Sequence, residues 1–201
     1  MADTRLTTHL LSLPSTTEPL NRATTHDFLT HAGRGTLSPA VLTRWLVQDI
    51  HYTRGYIRFI GGLLSQLRVP PSIYLPSGEK TLHARIFDLL LSALNNIQRE
   101  TQFFEDTAKE YGLELDMQAE IEPVTRTYVQ CFDAVKSGSG VGGLLEGLTV
   151  LWATEHVSWH GDHHTSSYTD DIVLSYGVDA CKVLSEEGLC WRAERFCTRS
   201  L

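Results

Sequence analysis

Apolar residues recur along this chain at steps of three and four, with almost no alternation of period two, so the pattern predicts helices throughout. Thr4 to Pro14 forms a short amphipathic stretch, and the prolines of the following segment, Pro14 and Pro19, are expected to stop it. Asn21 to Ala32 reads as one helix. The residues from Gly33 make a turn that places Ser38 as N-cap and Pro39 at the first helical position, where its fixed φ suits the helix and its missing N–H costs nothing. The helix that starts there extends to about Leu67 and stops before Val69-Pro70-Pro71. Leu42, Leu46, Ile50, Ile57 and Leu64 give it an aliphatic face expected to be core. Trp45, Asp49, Tyr52, Tyr56 and Phe59, at steps of four, three, four and three, line a second, aromatic face that carries one carboxylate.

Beyond a Pro/Ser/Gly loop to Gly78, Glu79 to Tyr111 is predicted as another long helix, apolar at Leu82, Ile86, Leu89, Leu90, Ala93, Leu94, Ile97 and Phe104, with Gly112 as its C′ residue. Pro123 opens the next, which carries Tyr128, Cys131, Phe132 and Val135 up to the Ser/Gly break at 137–140. Gly142 to about Trp159 follows. Ile172 to Leu184 gives a weaker helix, and Gly188 to Leu201 is irregular. No internal repeat interrupts the pattern, so the expectation is one all-α, multi-helix bundle over residues 1–201.

Composition narrows the function. With 17 Lys and Arg against 24 Asp and Glu, the formal charge is −7, and no basic cluster is present to displace counterions from phosphates. Nucleic acid and anionic membranes are therefore excluded as expected partners. There is no apolar span of membrane length and no apolar leader at the N-terminus, which points to the cytosol. Cys131, Cys181, Cys190 and Cys197 form no C-x-x-C pair and are expected to be reduced thiols that pack as small hydrophobes.

Two carboxylates stand where the pattern is apolar. Asp49 falls between Leu46 and Tyr52, and a buried unpaired carboxylate costs several kcal/mol. Either Arg54, Arg58 or an arginine of another helix pairs with it, or it is presented to a cationic or amidine-like heterocycle, with Tyr52 and Tyr56 offering stacking faces and hydroxyls. Glu155 has Leu148, Leu151 and Trp152 seven, four and three residues before it and Trp159 four after. Burial there would raise its pKa toward neutrality and suit it to proton transfer; a glutamate bonded to a tyrosine or arginine is the structural alternative. His156, His160, His163 and His164 cluster with Glu155, and His156 with His160 has the i, i+4 spacing of a metal-gripping pair, but the signal is weak and a solvated, histidine-rich helix end is the favoured account. Phosphate-loop and nucleophile-elbow motifs are absent, and no histidine stands in a sequence relation that would activate Cys131.

Three strings in order, Phe28 to Tyr52, Arg99 to Leu115 and Leu145 to Glu155, resemble the TenA (thiaminase II) family of the haem-oxygenase-like helical fold, over roughly residues 20 to 159. The resemblance implies cofactor-free hydrolysis of a thiamin-derived aminopyrimidine in vitamin salvage, by a cytosolic homo-oligomer, dimer or tetramer, with no metal. It implies that Asp49 binds the pyrimidine's amino and ring nitrogens and that Tyr52 and Tyr128 are pocket tyrosines; Tyr56 and Trp152 are expected beside them in the same mid-bundle pocket. One branch of the family uses a cysteine where this chain has Val150; the other has a glutamate in the setting that Trp152-Ala153-Thr154-Glu155 reproduces, which implies Glu155 as the catalytic acid/base. From about residue 165 onward the likeness fades. A non-catalytic or regulatory pyrimidine-binding protein, and a metal-dependent oxidase built from Glu155 and the histidines, are the alternatives from other functional classes.

Overall fold

A computed structural model describes residues 5–138 and 140–162, and among them every regular element is helical. In chain order these are α1 (Leu6–Ser12), α2 (Pro14–Thr24), α3 (Asp27–Gly33), α4 (Pro39–Gln66), α5 (Leu82–Glu110), α6 (Pro123–Lys136) and α7 (Gly140–Asp162). The protein is an all-α bundle of seven helices over this range. The segment predicted beyond Asp162, Ile172 to Leu184, and the irregular tail lie outside the described residues.

Local chemistry sets most boundaries. The Ser38 hydroxyl accepts from the Val41 amide at 3.4 Å with Pro39 at the first helical position, as expected, and Pro123 opens α6, there without a side-chain cap. Gly112, at φ 61°, lets the chain turn away after α5. α5 begins at Leu82 rather than Glu79, because the Leu75 amide donates to the Glu79 carbonyl at 2.7 Å and the Thr81 amide to Ile73 at 2.8 Å. That pairing holds the backbone extended until the Thr81 hydroxyl caps Ala84.

The N-terminal region departs from expectation. Pro14 ends α1 but starts α2, which continues through Pro19, expected to stop a helix, into the segment read as the start of the next helix. The single helix expected over 21–32 is broken at Thr25 and His26, where the His26 ring accepts from the Phe28 amide at 3.1 Å and begins α3 anew.

α4 is the axis of the bundle and packs against α5, α6 and α7. Its first half, through Leu46 and Ile50, meets Phe104 of α5 and the chain around Leu113 to Met117. Its second half joins a larger core through Tyr56, Phe59, Ile60 and Leu63, packed on Ile86, Leu90, Phe132, Leu148 and Leu151. Because different neighbours cover its two ends, the buried side rotates along the helix. Ile57, expected in the core, is 43% exposed, whereas Tyr56, on the aromatic face, is 3% exposed. Close crossings make this possible: a Cβ at Gly55 would lie 3.0 Å from Val129, one at Gly62 2.5 Å from Lys136 Cβ, and one at Gly147 of α7 would collide with Leu63.

Candidate functional site

Where α4, α6 and α7 meet, a cavity of about 500 Å³ opens, with Trp45, Asp49 and Tyr52 of α4, Tyr128 and Cys131 of α6, and Val150 of α7 on its wall. α6 is set against α4 here by Gln48, whose side chain donates to the Glu120 carbonyl and accepts from the Glu122 amide, both at 2.9 Å. Arg44 adds an ion pair to Glu122. The brace fixes the N-terminal end of α6 and so the position of Tyr128, one turn further on.

Tyr52 is the centre of an aromatic group. Its ring stacks on Tyr56 with centroids 6.0 Å apart and meets Tyr128 edge-on at 5.6 Å and Phe132 at 5.4 Å. Trp45 stands between Phe28 and Phe104, at 5.8 and 6.0 Å. Tyr128 is 42% exposed and forms the outer part of the wall.

Asp49 lies one turn before Tyr52 and has no hydrogen-bond or ion-pair partner among the described residues. Among the described residues the arginine pairing weighed from sequence is not formed: Arg54 and Arg58 are exposed, and Arg58 acts on Asp133 instead. Desolvation alone pushes the Asp49 carboxyl up to about 7. It is thus poised between a neutral donor and an anionic acceptor near neutral pH.

Glu155 sits behind this wall, next to Thr154, which forms part of it. The Tyr56 hydroxyl donates to Glu155 Oε1 at 2.7 Å, so both sequence readings apply: the acid is tyrosine-bonded, and burial raises its pKa, with the Tyr56 bond opposing the rise. Tyr56 and Trp152, expected on the pocket wall, belong to the core beside it. Trp152 carries His156 stacked at 5.2 Å. No group of three metal-binding side chains occurs among the described residues. The side chains of His160, His163 and His164 lie outside them.

Glu100 was missed from sequence. It stands on α5, its Oε1 3.4 Å from the Asn96 amide nitrogen, and its charge acts on both Tyr52 and Tyr56. The signal was available: Ala93, Ile97 and Phe104 precede and follow Glu100 by seven, three and four residues, the same apolar framing that singled out Glu155. Cys131 is a free thiol on the wall, and burial with the nearby Glu146 charge pushes its pKa up, which opposes its use as a nucleophile.

No family model and no solved structure matches the chain. A curated relative, a "probable transcription factor" of Fusarium pseudograminearum (strain CS3096), is 34% identical over 163 residues, which cover 81% of this chain and 31% of that protein. The chain therefore spans about a third of the length of the curated relative it matches. No helix among the described residues is long and apolar enough to cross a membrane.

Proposed function

We propose that this chain is a cofactor-independent hydrolase of the TenA type, acting in the cytosol as a homo-oligomer on a thiamin-derived aminopyrimidine of the amino-hydroxymethylpyrimidine class, on a haem-oxygenase-like bundle. The observation that carries the reading is Asp49: a carboxyl near neutrality, without a protein partner among the described residues, on the wall of an aromatic cavity sized for one heterocycle. In this reading its anionic form takes the ring N–H and exocyclic amine of the pyrimidine in a paired, charge-assisted contact, with the ring against Tyr52 and Tyr128. Glu155, oriented by Tyr56, removes a proton from water as its oxygen bonds to the aminomethyl carbon. The C–N bond breaks, the same proton passes to the departing nitrogen, and ammonia leaves. In this reading Tyr56 holds Glu155 in place rather than touching the ring, and Trp152 lies in the core beside the pocket.

Ammonia release from the aminomethyl form of the pyrimidine tests this. Glu155→Gln is expected to abolish turnover, and Asp49→Asn to raise the dissociation constant by about tenfold or more, the value of a charge-assisted contact. Unchanged kinetics in both variants refute the assignment. A second reading is a non-catalytic or regulatory protein that binds the pyrimidine without turning it over; tight binding with no ammonia from the wild type would select it.

A further inference from the structure

α6 is fastened to α4 unevenly along its length. Its buried side chains, Phe132 and Val135, both lie in its second half. There Gly55 and Gly62 of α4 admit Val129 and Lys136 at close contact, and the Gln66 side chain donates to the Lys136 carbonyl at 3.2 Å. The first turn has no such packing. Its N-cap residue, Glu122, makes no side-chain cap, and Val124 and Tyr128 stand exposed on the cavity wall. Among the described residues, the polar contacts that tie residues 120–128 to the rest of the protein come from Gln48 and Arg44. The Arg44–Glu122 pair adds little, because its arginine is exposed and solvent screens it. Gln48 makes two bonds to backbone, one as donor to Glu120 and one as acceptor from Glu122, from a half-buried position on the same cavity wall.

We infer that Gln48 is a positioning residue that holds the first turn of α6 against α4 and so sets the largest group the cavity takes: a single ring with short substituents enters, and a fused polycyclic system does not. Gln48 directly precedes Asp49, so one turn of α4 carries both the amide that holds the α6 wall and the carboxyl that faces the ligand. The place of Val124 and Tyr128 on that wall then depends on two bonds to backbone. Neither bond joins two charges, so the size limit holds at high salt, where the Arg44–Glu122 pair is screened. The inference deepens the proposed hydrolase reading by giving its substrate an upper size, and it rests on that reading only for the identity of the ring.

The test uses the full chain with Cys131 as reporter, since this free thiol lies on the same wall. N-ethylmaleimide and N-(1-pyrenyl)maleimide carry one reactive group on a small and on a polycyclic substituent. The rate of each at Cys131 is read by peptide mass spectrometry, which separates it from the other cysteines, and is divided by the reagent's rate with glutathione. Wild type is expected to favour the small reagent. Gln48→Met keeps the length of the side chain and removes both bonds. It is expected to raise the pyrenyl rate about tenfold or more, the effect of two lost hydrogen bonds on a local opening, and the ethyl rate by less than about twofold. Gln48→Glu keeps the acceptor for the Glu122 amide and loses the donor to Glu120, so its pyrenyl rate is expected to fall between, and it serves as the test if the methionine variant does not fold. Arg44→Ala is expected to leave both rates unchanged. Equal rates for the two reagents in wild type, a pyrenyl rate that responds to Arg44→Ala but not to loss of the Gln48 bonds, or equal acceleration of both reagents, the mark of general loosening, would overturn the inference. Labelling needs no turnover, so a chain that labels selectively but releases no ammonia sinks only the hydrolase, and one that turns over but labels alike with and without the Gln48 bonds sinks only the inference.

Discussion

Asp49 illustrates how one residue can carry a cost that only a ligand removes. Its ordinary pKa of 3.8 rises to about 7 in the fold, so the folded state binds a proton that the unfolded state has released over the interval between. The stability present below the lower value is lost as pH rises through the upper one. Asp49→Asn removes this loss. The variant should match wild type near about pH 4 and exceed it by roughly 2 kcal/mol at about pH 8, a figure reduced from the full shift because the side chain is partly open to the cavity. Urea denaturation at the two pH values reads it, and a variant no more stable than wild type at the higher pH would contradict the burial argument. Ligand affinity should run the other way with pH: a cation binds the ionised form, so its affinity falls as pH drops below about 7. Asp49 and Glu155 were legible in the sequence because each is an acid framed by apolar positions. Glu100 has the same frame, but its position opposite Tyr52 depends on how α5 crosses α4, which no local spacing encodes.

Among the helices, ends were easier to foresee than faces. Ser38, Pro39, Gly112 and Pro123 act on their own few neighbours, and each does in the structure what its position implies. α2 and α3 were misread because Pro19 is tolerated inside a helix and because the Thr25–His26 break uses a histidine ring as a cap. The faces of α4 depended on glycines. Gly55 and Gly62 allow α6 to lie against the aromatic side, and Gly147 allows α7 to approach Leu63. Gly147→Ala should therefore lower stability by about 2–3 kcal/mol, since the added methyl overlaps a fully buried leucine and the helices must separate. The intrinsic gain in helix propensity from glycine to alanine, about 1 kcal/mol, works against that loss and is smaller. Thermal denaturation decides the sign: a stabilised variant would show that the contact between α4 and α7 has room to spare.

At the scale of the molecule, a formal charge of −7 bears on the likeness to a protein named as a probable transcription factor. Phosphate contacts supply nearly all non-specific DNA affinity, and the sequence has no run of clustered lysines and arginines with which to make them. It should leave a labelled random duplex unshifted in a gel at low salt; a shift that disappears as salt rises would place it among DNA-binding proteins. By itself the sequence determined that the chain is helical, where the capped helices begin, and which polar groups stand on apolar faces. All are matters of spacing within one element, fixed by the 3.6-residue turn and by caps that act over three or four residues. Only the tertiary structure decided that Tyr56 turns inward while Ile57 turns out, that Asp49 faces a cavity rather than Arg54 or Arg58, and that Glu100 joins Glu155 around the same tyrosines. Those outcomes depend on which helix covers each face and how closely glycine lets it approach, and such contacts join residues far apart in the chain that share no local pattern.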